Sequence, residues 1–190
     1  MKYQLFFFLS CLFFLFSHNS YSQYKKVDTV VKTGRVGYKV YCNNRNELQN
    51  ELDVTPVGFE STAREFRAYI KGRILRTEID DLNNDGFPDL LIYLVDGDMG
   101  NIFAFGSDQN KYIIPFSLPD VLLDGKIKDG YMGHDEFQLM EGFVLRKFPV
   151  YKPGDDKDKP TGGRRIVQYQ MASTPAGGFQ FKVLRSYDLK

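Results

Sequence analysis

The feature that most constrains this chain is an apolar–polar alternation with a period of two, carried by short stretches that turn residues separate. In GRVGYKVYC the alternation places four side chains on one face: Val36, Tyr38, Val40 and Cys42. In RILRTEID it aligns Leu75, Thr77 and Ile79. The run DLLIYLV, residues 89–95, is almost continuously apolar, which is typical of a strand buried on both faces. Because no long segment shows the helical period of 3.6 residues, the pattern predicts an all-β fold.

About nine such stretches predict 8–9 strands in a single domain, arranged as an antiparallel β-sandwich or a partly closed barrel. Two longer connections interrupt them: a polar loop at residues 43–53, and a loop rich in Pro, Gly and charge at residues 152–163. A short helix is expected at residues 118–125. No linker and no internal repeat divides the sequence, so one folded domain over residues 23–190 is expected.

Residues 1–22 have the pattern of a secretory signal peptide. Lys2 provides the positive start, residues 5–16 are almost wholly apolar, and small residues precede a cleavage site after Ser22. A membrane anchor is one alternative, but the apolar run is shorter than the roughly 20 residues that a spanning helix needs. A lipoprotein signal at Cys11 is another, although the residues before Cys11 match it poorly. We therefore expect a periplasmic or secreted protein without a membrane span after cleavage.

The charge balance argues against a nucleic-acid-binding protein, and the cysteine content argues against a fold stabilised by disulfides. Once Lys2 leaves with the signal peptide, 24 basic and 24 acidic residues remain. A nucleic-acid-binding surface needs a basic excess, so nucleic acid is excluded as a partner. Cys42 is then the single cysteine, so no intrachain disulfide forms. Its side chain is expected to act as a small buried hydrophobe, with a reactive thiol as the alternative.

The acidic loop DDLNNDGFPD, residues 80–89, has the spacing of a calcium-binding loop. Five residues offer oxygen ligands, Phe87 through its backbone carbonyl: Asp81, Asn83, Asp85, Phe87 and Asp89. Oxygens two residues apart converge when the chain coils around a hard cation, and calcium takes six to eight of them. The EF-hand glutamate is missing, and the loop resembles those of integrin-type propeller blades, but a single copy excludes a propeller. The spacing predicts a structural Ca²⁺ site.

A metal-free turn is the alternative interpretation of this loop. Asp and Asn side chains accept hydrogen bonds from their own backbone and tolerate turn conformations, so DLNNDG can close a hairpin without an ion. The density of carboxylates favours the ion, because like charges held together are unfavourable without a cation.

The sequence contains little that indicates catalysis. His134, in GYMGHDEFQL, is the one histidine after residue 22, so no second histidine is present for a zinc site. Neither a G-x-S-x-G motif nor a phosphate-binding loop occurs. We therefore predict that the protein is not an enzyme. A hydrolase that uses the acidic residues near His134 is the remaining enzymatic alternative.

Four stretches carry a resemblance to a known family: Asp81–Leu91, Gly130–Phe137, Glu141–Asp155 and Pro160–Tyr169. They contain the blocks G-H-D-E-F, R-x-F-P-x-Y and P-T-G-G-x-R in this order. The chain thereby resembles the bacterial periplasmic inhibitors of invertebrate-type (i-type) lysozyme. The resemblance implies a small antiparallel β-sandwich, a periplasmic address, i-type lysozyme as the protein partner and often a homodimer.

The resemblance also implies that a loop enters the lysozyme cleft, where a serine and a tyrosine hydroxyl contact the catalytic carboxylates. The corresponding loop here is VDGDMGNIFAF, residues 95–105. The expected partner-binding residues are Asp96, Gly97, Asp98, Gly100, Asn101, Ile102 and Phe103, with Tyr131, His134 and the 152–163 loop beside them.

This loop departs from the family pattern at both hydroxyl positions. Asp96 stands at the serine position, and Ile102 or Phe103 stands where tyrosine is expected. An ionised aspartate cannot donate a hydrogen bond to a carboxylate. The leading hypothesis is a non-enzymatic binding protein of the lysozyme-inhibitor type. The alternative is a calcium-stabilised structural or envelope module with a different partner.

Overall fold

The computed structural model describes residues 25–190, and the predicted signal peptide at residues 1–22 lies outside them. In this described part the chain forms twelve strands in three four-stranded antiparallel sheets, none of which closes into a barrel. The all-β prediction is therefore confirmed. The predicted number of 8–9 strands is wrong, and a third sheet is present beyond the two of a sandwich.

Each sheet consists of four strands that follow one another along the chain. The N-terminal sheet contains β1 (Val27–Thr33), β2 (Val36–Cys42), β3 (Asn50–Val57) and β4 (Phe66–Ile70). The middle sheet contains β5 (Arg73–Asp80), β6 (Asp89–Asp96), β7 (Met99–Asp108) and β8 (Tyr112–Ser117). The C-terminal sheet contains β9 (Glu136–Met140), β10 (Phe143–Pro149), β11 (Arg164–Ser173) and β12 (Phe179–Leu189).

One of the strands beyond the predicted number, β3, begins among polar residues that hide its alternation of apolar and polar side chains. Strand β3 begins at Asn50, inside the predicted polar loop at residues 43–53. Asn50 is only 4% exposed, and its side-chain amide donates to the carbonyl of Gly72 at 2.8 Å. A polar side chain is tolerated in the interior when such a bond is made. The rest of the difference comes from strand β1 and from the division of residues 136–149 into two strands, β9 and β10.

A β-bulge in β5 explains why Leu75 does not face the side of the sheet that the sequence predicts. Ile74 pairs with Leu94 and Arg76 pairs with Tyr93, so Leu75 is the extra residue on its strand. Leu75 is consequently 52% exposed, whereas Ile74 is 2% exposed. The predicted alignment of Leu75 with Thr77 and Ile79 is therefore wrong, because a bulge shifts the facing of every residue on one side of it.

Two hydrophobic clusters lie on opposite faces of the middle sheet. Leu90 and Ile92 of β6 pack with the N-terminal sheet, whereas Leu91 and Tyr93 pack with the C-terminal sheet. The molecule thus has three layers, with β6 buried on both faces as its continuous apolar run predicts. Cys42 is fully buried in the cluster between the N-terminal and middle sheets.

The connection between β8 and β9 contains only one turn of helix. Residues Val121–Leu123 form a 3₁₀ helix whose N-cap, Asp120, accepts a hydrogen bond from the amide of Leu122 at 2.9 Å. The helix predicted at residues 118–125 is therefore shorter than expected. Over residues 25–190, no helix has the length and apolar character needed to cross a bilayer.

Candidate functional site

The tip of the β6–β7 hairpin is the exposed part of the predicted contact loop. Asp96 pairs with Met99, so Gly97 and Asp98 form a two-residue turn. Gly97 has a φ of 59°, which glycine adopts without strain at the first position of such a turn. Residues 97–99 are exposed, while the two strands that carry them continue into both hydrophobic clusters. The tip therefore projects from the two central strands of the middle sheet.

A buried charge network holds the base of this hairpin. Arg146 of β10 is 3% exposed, and its Nε lies 2.6 Å from Oδ1 of Asp135, whose side chain is fully buried. Arg146 also donates to the carbonyl of Gly100 at 3.0 Å and to the hydroxyl of Tyr131 at 2.8 Å. The amide of Gly100 and the hydroxyl of Tyr131 both donate to Oδ2 of Asp135 at 2.7 Å. The C-terminal sheet thereby fixes the first residues of β7.

Electrostatics keep the Arg146 guanidinium charged. Burial, the largest influence, favours the neutral form of Arg146, but the hydrogen bond and the charge of Asp135 outweigh it and raise the pKa of the guanidinium. Burial also raises the pKa of Tyr131, so its hydroxyl keeps its proton and remains a donor to Asp135. A buried ion pair of this kind is stable only when its remaining polar atoms are satisfied, as they are here by Gly100 and Tyr131.

Asp98, at the hairpin tip, connects two loops of the C-terminal half. Its carboxylate lies 2.6 Å from Nζ of Lys157 and 4.0 Å from Nδ1 of His134. Its carbonyl accepts a hydrogen bond from the amide of His134 at 2.6 Å, and a Cβ on Gly133 would lie 2.3 Å from the same oxygen. The hydrogen bond from Lys157 lowers the pKa of Asp98. On the other side of the tip, Asp96 pairs with Lys71 at 2.6 Å.

The predicted contact residues do not all lie at the surface. Gly97, Asp98 and Asn101 are exposed, and Asp96 is partly exposed. Ile102 is completely buried in the cluster between the middle and C-terminal sheets. Gly100 is buried and Phe103 is partly buried. Ile102 cannot replace a contacting tyrosine in this conformation, because its side chain points into the core.

Tyr131 and His134 lie beside the hairpin, as predicted, and so does the 152–163 loop through Lys157.

The sequence did not identify four other residues at this site: Arg146, Asp135, Lys71 and Lys157. One signal for Arg146 exists: in GFVLRKF it occupies the same face as Val144 and Phe148, which a period of two assigns to the interior. A charged residue at a core position indicates a buried partner. The lysines carry no such signal.

The acidic loop connects β5 to β6 at the opposite end of the hairpin's strand. The side chains at the first and third predicted ligand positions converge: Oδ1 of Asp81 and Oδ1 of Asn83 both accept from the amide of Asp85, at 2.9 and 3.1 Å. Asp81 also accepts from the amide of Gly86 at 2.8 Å, and Asp85 from that of Phe87 at 2.9 Å. Backbone amides thus close the loop around inward-facing oxygens.

Asp89 lies beneath this loop and is fully buried. Its two oxygens accept from the amides of Leu82, at 2.9 Å, and Ser107, at 2.8 Å. Burial raises the pKa of Asp89 to about 7, although both hydrogen bonds act in the opposite direction. Asp89 therefore joins the acidic loop to the end of strand β7.

The loop's donor set is compatible with a hard cation. Within residues 25–190, no group of three or more His, Cys, Asp and Glu side chains is positioned as a metal site. The predicted set also uses the Asn83 amide and the Phe87 carbonyl, which are oxygen donors of other types. Asp81, Asn83 and Asp85 supply oxygens of the type that Ca²⁺ prefers, and each of these oxygens accepts a hydrogen bond from within the loop, as the metal-free turn also predicts.

The hairpin tip and its two lysines offer recognition chemistry. Each lysine ammonium has three donors and uses one on its aspartate, so Lys71 and Lys157 retain donors for a second acceptor. Both lysine side chains are more than 60% exposed.

Comparison of the chain with protein-family models, with curated proteins and with solved structures found no match.

Proposed function

We propose that this chain is a secreted or periplasmic, non-enzymatic protein that binds a protein partner through the β6–β7 hairpin, as the inhibitors of i-type lysozyme that it resembles do. The observation that supports this most is the exposed tip Gly97–Met99, held at its base by the buried Arg146–Asp135 pair. A loop that is already ordered loses little conformational entropy on binding, and this favours affinity.

The lysines at the tip provide hydrogen-bond donors in the place of the missing serine and tyrosine hydroxyl groups. Asp96 and Asp98 alone would repel the carboxylates of a lysozyme cleft. Each is paired with a lysine at 2.6 Å, so the tip presents two neutral pairs with spare N–H donors. A carboxylate of the partner is then met by Lys71 or Lys157, in the place of a serine or tyrosine hydroxyl.

Binding to i-type lysozyme is the first expected outcome. Titration calorimetry of residues 23–190 against i-type, c-type and g-type lysozymes should show binding to the i-type enzyme, and a lysis assay should show its inhibition. Lys157→Met should weaken this binding roughly tenfold, because the tip then presents an unpaired carboxylate to an acidic cleft.

Lys39→Met is the matched control, since Lys39 is an exposed lysine on the outer face of the N-terminal sheet. It should leave the affinity unchanged. Equal effects of the two substitutions would place the contact surface elsewhere, and no binding to any of the three lysozymes would overturn the lysozyme assignment. A homodimer, which the resemblance also implies, is tested in the same samples by sedimentation.

A second candidate function is that of a calcium-stabilised envelope module, favoured by the converging oxygens of Asp81 and Asn83. If Ca²⁺ binds the native loop, a chelator should lower the melting temperature. A free concentration of 100 times the Kd corresponds to about 2.7 kcal/mol of stabilisation. Asp85→Ala should abolish the response to the chelator.

Asp124→Ala is the control for this experiment, because Asp124 also accepts a backbone N–H, that of Lys126 at 2.8 Å, in a turn outside the acidic loop. That variant should keep the response of the native protein. Identical melting curves with calcium and with chelator would show that the loop is a metal-free turn.

A further inference from the structure

The longest strand in the described part of the chain, β12, lies at an edge of the C-terminal sheet. It pairs with β11 on one side, and no strand of residues 25–190 pairs with its other side. Every residue from Lys182 to Leu189 is exposed, and four of these eight are apolar or aromatic: Val183, Leu184, Tyr187 and Leu189. Unpaired backbone amides and carbonyls beside exposed apolar side chains are the features to which a strand of another chain pairs.

The other edge strands are shorter or interrupted. Strands β4 and β9 have five residues each, β8 contains Pro115, which has no amide proton, and β5 contains the bulge at Leu75. Strand β1 has seven residues and lies beside β5 of the middle sheet. Short length, proline and bulges keep a sheet edge from pairing with another chain. Strand β12, with 11 residues, is therefore the edge most open to a further strand.

The last five residues of β12 form a regular edge. The strand has a bulge of its own at Leu184, but after it each residue from Arg185 to Leu189 pairs with one residue of β11. Ser186 pairs with Val167, which belongs to the cluster between the middle and C-terminal sheets, so Ser186 is on the inner face. The alternation then places three side chains on the outer face: Arg185, Tyr187 and Leu189.

A second copy of the same edge fits this strand in one register. Two strands related by a two-fold axis run antiparallel, and opposed residues face the same side of the sheet, so one residue must lie opposite itself. An axis at Arg185 or Asp188 would place like charges opposite each other. An axis at Ser186 would bring the bulged residue into the pairing, and an axis at Leu189 would use only the end of the strand. The remaining position is Tyr187.

The pairs made in this register are chemically compatible. Tyr187 lies opposite Tyr187 of the second copy, and cross-strand aromatic pairs stabilise antiparallel sheets. Ser186 lies opposite Asp188, whose carboxylate is bonded to Arg165 at 2.6 and 2.9 Å and has further lone pairs for the Ser186 hydroxyl. A groove of about 560 Å³ between this edge and residues 126–127 leaves room for the inner side chains of a second strand.

We propose that two copies of this chain associate through β12, with Tyr187 at the two-fold axis and the two four-stranded C-terminal sheets joined into one sheet. Arg185 then lies opposite Leu189, so no like charges meet along the pairing. The inference goes beyond the proposed function, because it uses strand register alone and a strand separate from the β6–β7 hairpin.

Sedimentation of residues 23–190 over a range of concentrations tests the association. The native protein should form dimers, and Tyr187→Lys, which places two ammonium groups at the axis, should raise the dimer dissociation constant roughly tenfold or more. Tyr112→Lys is the matched control and should leave that constant unchanged, since Tyr112 is an exposed tyrosine on the edge strand β8. A monomeric native protein, or equal effects of the two substitutions, would overturn the proposal.

Cysteine cross-linking tests the register. Tyr187→Cys should form a disulfide between two copies in oxidised glutathione, because opposed Cα atoms of an antiparallel pair are about 4.5–5.5 Å apart, within the range that a disulfide spans. Ser186→Cys should not, since each Ser186 lies opposite Asp188. Cys42 is fully buried and does not compete. A cross-link through Ser186→Cys, or through neither variant, would overturn the proposal.

Neither experiment contains a lysozyme, so the outcomes are separate from those of the lysozyme titrations. A protein that cross-links through Tyr187→Cys and binds no lysozyme would support this interface and overturn the proposed partner. A monomer that binds i-type lysozyme would overturn this interface and support the proposed function.

Discussion

Replacement of Arg146 by Met is expected to lower the free energy of unfolding by about 3–5 kcal/mol. The substitution leaves Asp135, a fully buried carboxylate, without its cationic partner. It also removes the hydrogen bond that joins β10 to the carbonyl of Gly100 at the base of the hairpin. Urea denaturation of the variant beside the native protein measures this loss.

Arg164→Met provides the comparison for this result. Arg164 of β11 pairs with Glu136 at 2.6 Å, the same distance as the Arg146–Asp135 pair, but both of its side chains are exposed. An exposed pair contributes about 0–1 kcal/mol, so Arg164→Met should have little effect. If the two variants lose the same stability, the buried pair does not hold the hairpin.

Replacement of Asp89 by Ala is the second substitution with a large expected effect, a loss of about 2–6 kcal/mol in the free energy of unfolding. The amides of Leu82 and Ser107 would both lose their acceptor in a buried environment, and each unsatisfied donor costs about 1–3 kcal/mol. The measurement is made by urea denaturation in excess chelator, so that any bound cation does not contribute.

Asp124→Ala in the same buffer removes one exposed acceptor and should cost about 0.5–1 kcal/mol. A loss in Asp89→Ala no larger than this would mean that water satisfies the two amides. The acidic loop would then be independent of the end of strand β7, to which Asp89 joins it.

Periodicity predicted the strands that have one buried face or two. The run at residues 89–95 and the alternation from Val36 to Cys42 depend only on side-chain hydrophobicity, and both lie in strands with the expected facing. The bulge at Leu75 was not predictable in the same way, because a single extra residue depends on pairing with β6. Three layers were not predictable either, since periodicity does not show which strands share a sheet.

Part of the candidate site was also predictable from the sequence, and part was not. The hairpin was predictable from Gly97 and the acidic residues around it, since turn chemistry is local. Lys71 and Lys157 lie far from it in the chain, and only the folded arrangement brings them to Asp96 and Asp98. The resemblance places Ile102 in the contact loop, and the sequence alone does not show where β7 enters the core.

The order of the strands has a consequence for how this chain folds. Every strand pairing in the three sheets joins strands that are neighbours in sequence, and the loops between them have from 2 residues, in β6–β7, to 14 residues, in β10–β11. Short closures lose little chain entropy before their hydrogen bonds form, and topologies with such local contacts fold quickly. We expect the docking of the outer two sheets onto the middle one to be the slowest step, because it brings together parts of the chain that are distant in sequence.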